Sequence, residues 1–93
     1  MMEIRFRADP PEARLSVDLD GFTLIFHRPS GITHMLAPPA PEMLDALVEG
    51  PAEAREIVAR LAARHRIDDR ADAEAVVAAR LAELEAAGLV SRQ

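Results

Sequence analysis

An α+β fold is what this sequence predicts: an antiparallel meander of three strands, with room for a short extra N-terminal strand, followed by three helices. Two observations predict it. Apolar residues alternate with polar ones up to about residue 37 and recur at helical spacing beyond it. Turn-forming dipeptides sit at the joints between the alternating runs. With 93 residues, 49% hydrophobic and 29% charged, the chain can build one core and is too short for two, so residues 1–93 are read as a single domain.

Each element has a local reason. Ile4, Phe6 and Ala8 alternate with Arg5 and Arg7, a short strand closed by Asp9-Pro10-Pro11. Leu15, Val17 and Leu19 alternate with Ser16, Asp18 and Asp20, and Asp20-Gly21 signals a two-residue type I′ hairpin turn. Phe22 to His27 is the returning strand, Arg28-Pro29-Ser30-Gly31 the second turn, and Ile32 to Leu36 the third strand. A two-residue turn sets Leu19 opposite Phe22, Val17 opposite Leu24 and Leu15 opposite Phe26. These six, joined by Met35, form one apolar face, and Leu24, Phe22, Phe26 and Met35 are expected to pack against the helices. Thr23, Ile25, His27, Ile32, His34 and Leu36 line the other face.

Ala37-Pro38-Pro39-Ala40-Pro41 forbids a strand and leads into a helix, since proline is tolerated in a first helical turn. Met43, Leu44, Leu47 and Val48 are its expected buried stripe, and Gly50-Pro51 ends it. The second helix is expected from about Glu53 to His65 around Ile57, Val58 and Leu61, with Ile67 an anchor in the polar link that follows. The third runs from about Ala71 to Ala87 around Val77, Leu81 and Leu84, stops at Gly88, and leaves Leu89-Val90 to fold back on the domain. Phe6 is expected either to pair its strand with the free edge of the first meander strand or to fold across the groove between the third strand and the third helix and occupy it.

Composition excludes several functions. There is no Cys, hence no disulfide, thiolate nucleophile or Cys-based metal site. All 11 basic residues are Arg, which removes Schiff-base chemistry. Sixteen acidic residues leave a net charge of -5, unfavourable for nucleic acid and for anionic membranes. No apolar run approaches the roughly 20 residues of a membrane span, and Met1-Met2-Glu3-Ile4-Arg5 lacks a signal-peptide core. A cytoplasmic protein is expected.

The candidate chemistry is sparse. His27 and His34 are diagonal neighbours on one face, two ligands where a catalytic zinc site uses three, and are read as rim histidines, with no metal or cofactor expected. His65 is read as a helix C-terminal residue. Ser16, Ser30 and Ser91 are the only serines and none sits on a strand-to-helix nucleophile turn, so no catalytic residue is assigned and no enzyme is expected.

Three meandering strands followed by three short helices form a winged-helix-like arrangement, and several stretches resemble one family with that arrangement. Asp20-Gly21-Phe22-Thr23-Leu24-Ile25-Phe26, Pro29-Ser30-Gly31-Ile32-Thr33-His34-Met35-Leu36, Glu49-Gly50-Pro51 and Leu81-Ala82-Glu83-Leu84-Glu85-Ala86-Ala87-Gly88-Leu89-Val90 resemble the PqqD-like peptide chaperones over about residues 14 to 91, and most of all the subgroup associated with HPr-kinase-related genes. The chain departs from the family pattern at Ala37, where relatives place Asn or Asp. It departs again in the strands, where Leu, Val, Phe and Ile stand for Trp or Tyr.

The resemblance implies a non-enzymatic adaptor that binds the leader of a ribosomally made precursor peptide and presents it to a modifying enzyme. The leader would add as a strand beside Ile32, Thr33, His34, Met35 and Leu36 and lie along Val76, Arg80 and Glu83 of the third helix. An edge strand's unpaired backbone groups suit that mode. Two other readings stand beside it: a docking subunit of a larger enzyme that binds no free peptide, and a winged-helix DNA-binding protein. Against the latter, residues 72–87 carry Asp72, Glu74, Glu83 and Glu85 with Arg80 as the one base, a net of -3 on the would-be recognition helix.

Overall fold

The structure, a computed structural model, describes residues 4–93; Met1, Met2 and Glu3, part of the segment expected to hold no signal peptide, lie outside the described residues. The chain forms β1 (Phe6–Ala8), β2 (Arg14–Leu19), β3 (Phe22–His27), β4 (Ile32–Leu36), α1 (Ala40–Ala46), α2 (Ala54–Ala62), α3 (Arg70–Ala86) and β5 (Val90–Arg92). The α+β class, the meander and the three helices are as expected. β2, β3 and β4 make one antiparallel sheet in that order, and β1 pairs with β5 in a second.

Turn chemistry sets the registers. Gly21 and Gly31 take φ of 80° and 70°, the left-handed region that a side chain disfavours. They close the hairpins with Leu19 opposite Phe22 and His27 opposite Ile32. The whole β2-β3 register and the Leu24-Met35 pairing follow as expected.

The covered face is the reverse of the expected one. Leu15, Val17, Leu19, Phe22, Phe26 and Met35 are 37 to 64% exposed, and Leu24 is half-buried, whereas Ile25 is 2% exposed beneath the helices. Two features decide the inversion. Ile25 is a central residue of the central strand, and its side of the sheet also carries Leu36, which packs against the core. The short link 37–39 then delivers α1 to that side, with Ala40 buried. Helices supply most of the core: Met43, Leu44, Leu47, Ile57, Val58, Leu61, Val77, Leu81 and Leu84 are all buried.

Smaller departures have local causes. Val48 is exposed because α1 tightens into a 3-10 turn at Leu47–Glu49, whose three-residue period rotates Val48 off the buried stripe. α2 stops at Ala62, and the His65 N-H closes a final turn on the Leu61 carbonyl at 2.7 Å. Phe6 lies neither on the free edge of β2 nor across the groove between β4 and α3. It pairs with Arg92, exchanges backbone hydrogen bonds with Ala52 at 2.8 and 2.9 Å, and takes the Arg92 guanidinium over its ring. Leu89 and Val90 are buried, as expected.

Candidate functional site

β4 pairs with β3 on one side and, among the described residues, with no strand on the other. Register tells which of its backbone groups face outward. In a two-residue hairpin the closing pair Leu19-Phe22 exchanges hydrogen bonds, so Phe22, Leu24 and Phe26 bond toward β2, and Thr23, Ile25 and His27 toward β4. The Arg28 N-H, which reaches the Ala13 carbonyl at 2.8 Å, keeps the same alternation. On β4, therefore, Ile32, His34 and Leu36 are occupied with β3, and the N-H and C=O of Thr33 and Met35 point away from the sheet.

The wall facing this edge is α3. Its N-terminus is capped by Asp69, whose carboxylate accepts the Asp72 N-H at 3.1 Å, and Val77, Leu81 and Leu84 bury its inner stripe. That rotation leaves Val76, Arg80 and Glu83 along one flank. Of the eight site residues expected from sequence, the structure brings Met35, Leu36, Arg80 and Glu83 together around a cavity of about 200 Å³. Val76 lines a neighbouring cavity of about 250 Å³ with Pro39, Leu61, Ile67 and Val77. Ile32, Thr33 and His34 line neither. Thr33 is on the outer face, and His34 is half-buried on the helix side.

Two polar atoms on these elements are buried and without a partner among the described residues, the Nε2 of His34 and the Nε of Arg80. Arg80 spends its Nη1 on Glu83 at 2.8 Å, a one-turn ion pair. An orphaned buried polar atom costs the desolvation of that group, so both sites gain from any incoming hydrogen-bonding partner. Sequence reasoning missed the residues that open the groove: Ala37, Ala40 and Ala87 line the cavity between β4 and α3, and their role is the space their side chains leave. The cavity lined by Val76 was missed too, including His65, whose ring borders it.

A Ser-His-Asp chain does form, with its serine in the turn between two strands. His27 is buried, with Nε2 2.7 Å from Asp9 Oδ2 and Nδ1 2.8 Å from Ser30 Oγ. The imidazole is reversed relative to a serine-hydrolase triad, in which Nε2 serves the serine. The Ser30 hydroxyl also caps its own turn, accepting the Ile32 N-H at 3.3 Å. None of the principal cavities is lined by Ser30 or His27. The chain ties the segment after β1 to the β3-β4 turn. Among the described residues no group of three or more His, Asp or Glu is placed to hold a metal ion.

An open sheet edge facing a helix-lined groove defines a winged-helix-like domain with a cleft between β4 and α3. The chain belongs to the PqqD family: the family model for coenzyme PQQ synthesis protein D matches residues 23–90. Two solved structures share the fold. One is TbiB1 in complex with the TbiA(beta) leader peptide, at 22% identity and a TM-score of 0.64 over 91% of this chain and 94% of that one. The other is a lasso peptide synthetase B1 complexed with the leader peptide, at 22% identity and a TM-score of 0.62 over 92% and 96%. No curated protein sequence matches the chain. No helix among the described residues is long and apolar enough to cross a membrane.

Proposed function

We propose that this protein is a non-enzymatic adaptor whose single domain binds the leader segment of a ribosomally made precursor peptide and presents it to a modifying enzyme in the cytoplasm. The observation that carries the reading is the outward N-H and C=O pair at each of Thr33 and Met35, beside the α3 flank of Val76, Arg80 and Glu83. The leader adds antiparallel or parallel to β4, takes main-chain hydrogen bonds from those two residues, and sets alternate side chains toward the cavities on α3. Family membership and the leader peptides held by both structural relatives support it. Placement in the subgroup associated with HPr-kinase-related genes rests on the resemblance of sequence stretches over about residues 14 to 91.

DNA binding is disfavoured by charge. Arg80 is paired with Glu83, Arg64 with Glu49 and Arg66 with Asp68, so three of the bases on or just before α3 are already committed to carboxylates. The docking-subunit reading is favoured by one observation, the bare apolar face of the sheet.

NMR titration of the full chain with precursor peptides encoded nearby in the genome tests the proposal. Ordering a flexible peptide offsets much of the contact energy, so a dissociation constant on the order of micromolar is expected. Shifts should map to residues 32–36 and 76–83, and Arg80→Glu should weaken an acidic leader. Silence at both segments, with shifts elsewhere, would overturn strand addition.

A further inference from the structure

The outer face of the β2-β3-β4 sheet is apolar across all three strands and bare. Leu15, Val17, Leu19, Phe22, Phe26 and Met35 surround Leu24 in cross-strand rows, Leu15 beside Phe26 and Val17 beside Leu24 beside Met35. With side-chain areas of roughly 150–200 Å² each, their exposure amounts to on the order of 500 Å² of apolar surface, the upper end for a patch on a soluble monomer. Every side chain on that face, Thr33 included, is uncharged, in a chain of net charge -5.

We propose that this face is the interface of a two-fold homodimer in solution, the sheets of two copies stacking face to face. Three properties select a second copy as the occupant. Two such patches together remove on the order of 1,000 Å² from water, the lower bound for a specific interface and enough for a dimer of micromolar Kd. A flat, uniformly apolar sheet face is self-complementary, and stacked sheets about 10 Å apart interdigitate such side chains. Absence of charge matters most, since acidic copies meet here without setting like charges against each other, and a partner selected by charge would find none to read. Stacking on this face leaves the β4 edge and the α3 flank of each copy open, so the dimer carries two peptide grooves.

Sedimentation velocity of the full chain from about 1 µM to about 1 mM tests this, with circular dichroism confirming that each variant is folded. The expected result is a monomer-dimer equilibrium whose midpoint Val17→Lys raises by at least about tenfold. Near the two-fold axis Leu24 meets its own copy, so Leu24→Lys and Leu24→Glu should each be monomeric and their equimolar mixture dimeric. Should either Leu24 variant fail to fold, Val17→Lys mixed with Val17→Glu makes the same comparison. A chain monomeric throughout the range would overturn the proposal and give the face to a different protein. A dimer indifferent to these substitutions would overturn it in favour of edge-to-edge strand pairing, and growth beyond the dimer would overturn two-fold closure.

Discussion

Arg60 illustrates how single side chains hold the helical layer together. Its guanidinium donates to the carbonyls of Ala46 at 3.1 Å and Gly50 at 2.6 Å, tying α2 to the turn that ends α1. Glu56 does the corresponding work at the start of α2, accepting the Glu53 N-H at 3.1 Å. That backbone hydrogen bond holds the Glu56 carboxyl below its ordinary pKa; partial burial opposes it and the charges of Arg5, Arg60 and Arg55 assist. A depressed folded-state pKa contributes stability that is complete above the unfolded value and is lost as pH falls through the folded one. The stability gap between the wild type and Glu56→Gln should therefore be widest at neutral pH and close in acid, as read by denaturant unfolding across a pH series. A gap that does not change with pH would contradict the cap.

Burial makes a second residue-scale prediction. Leu81, 1% exposed at the centre of the core, should lose about 2–5 kcal/mol on truncation to Ala. Leu15→Ala, on the bare face, should lose less than about 1 kcal/mol. Comparable midpoints for the two variants in urea would mean that the faces are wrongly assigned.

At the scale of elements, β4 separates two kinds of backbone position. Met35→Pro removes an outward N-H and should weaken leader binding by roughly threefold to tenfold, one hydrogen bond's net contribution, with the fold retained. His34→Pro removes a bond to β3 and strands the Ile25 carbonyl, so it should cost about 1–3 kcal/mol of stability instead. Calorimetric titration and thermal unfolding of both variants separate the effects; equal loss of affinity with unchanged stability would contradict the alternation. This register was legible in the sequence because Asp20-Gly21 and Gly31 encode it within a few residues. The edge was legible because the last strand of a meander has one neighbour. The walls of the groove were expected from the family resemblance, but the alanines that open it were not, because residues 35–40 and 80–87 meet only in the fold and side chains that leave space give no signal of their own.

The molecule as a whole is a slab of 35 × 32 × 20 Å, one layer of helix and one of sheet. The helix layer covers one side of the sheet, and here sequence reasoning chose the wrong side. Seven apolar side chains on one face outnumbered Ile25, Ile32 and Leu36 on the other, but helix placement followed the exit of the chain from β4, a tertiary property that alternation does not carry. His27 completes the covered face because Asp9 and Ser30 satisfy both ring nitrogens, at the cost of no unpaired group. The N-terminal strand was legible as a strand, whereas its partner β5 is contributed by the opposite end of the chain.

The central claim is that β4 receives a peptide as an added strand, and amide hydrogen exchange of the full chain, free and saturated with leader peptide, tests it most directly. In the free protein Ile32, His34 and Leu36 should be protected by β3 and Thr33 and Met35 should exchange quickly. In the complex Thr33 and Met35 should slow by at least about tenfold, while the other three change little. Unchanged exchange at Thr33 and Met35 in a saturated complex would contradict strand addition at this edge.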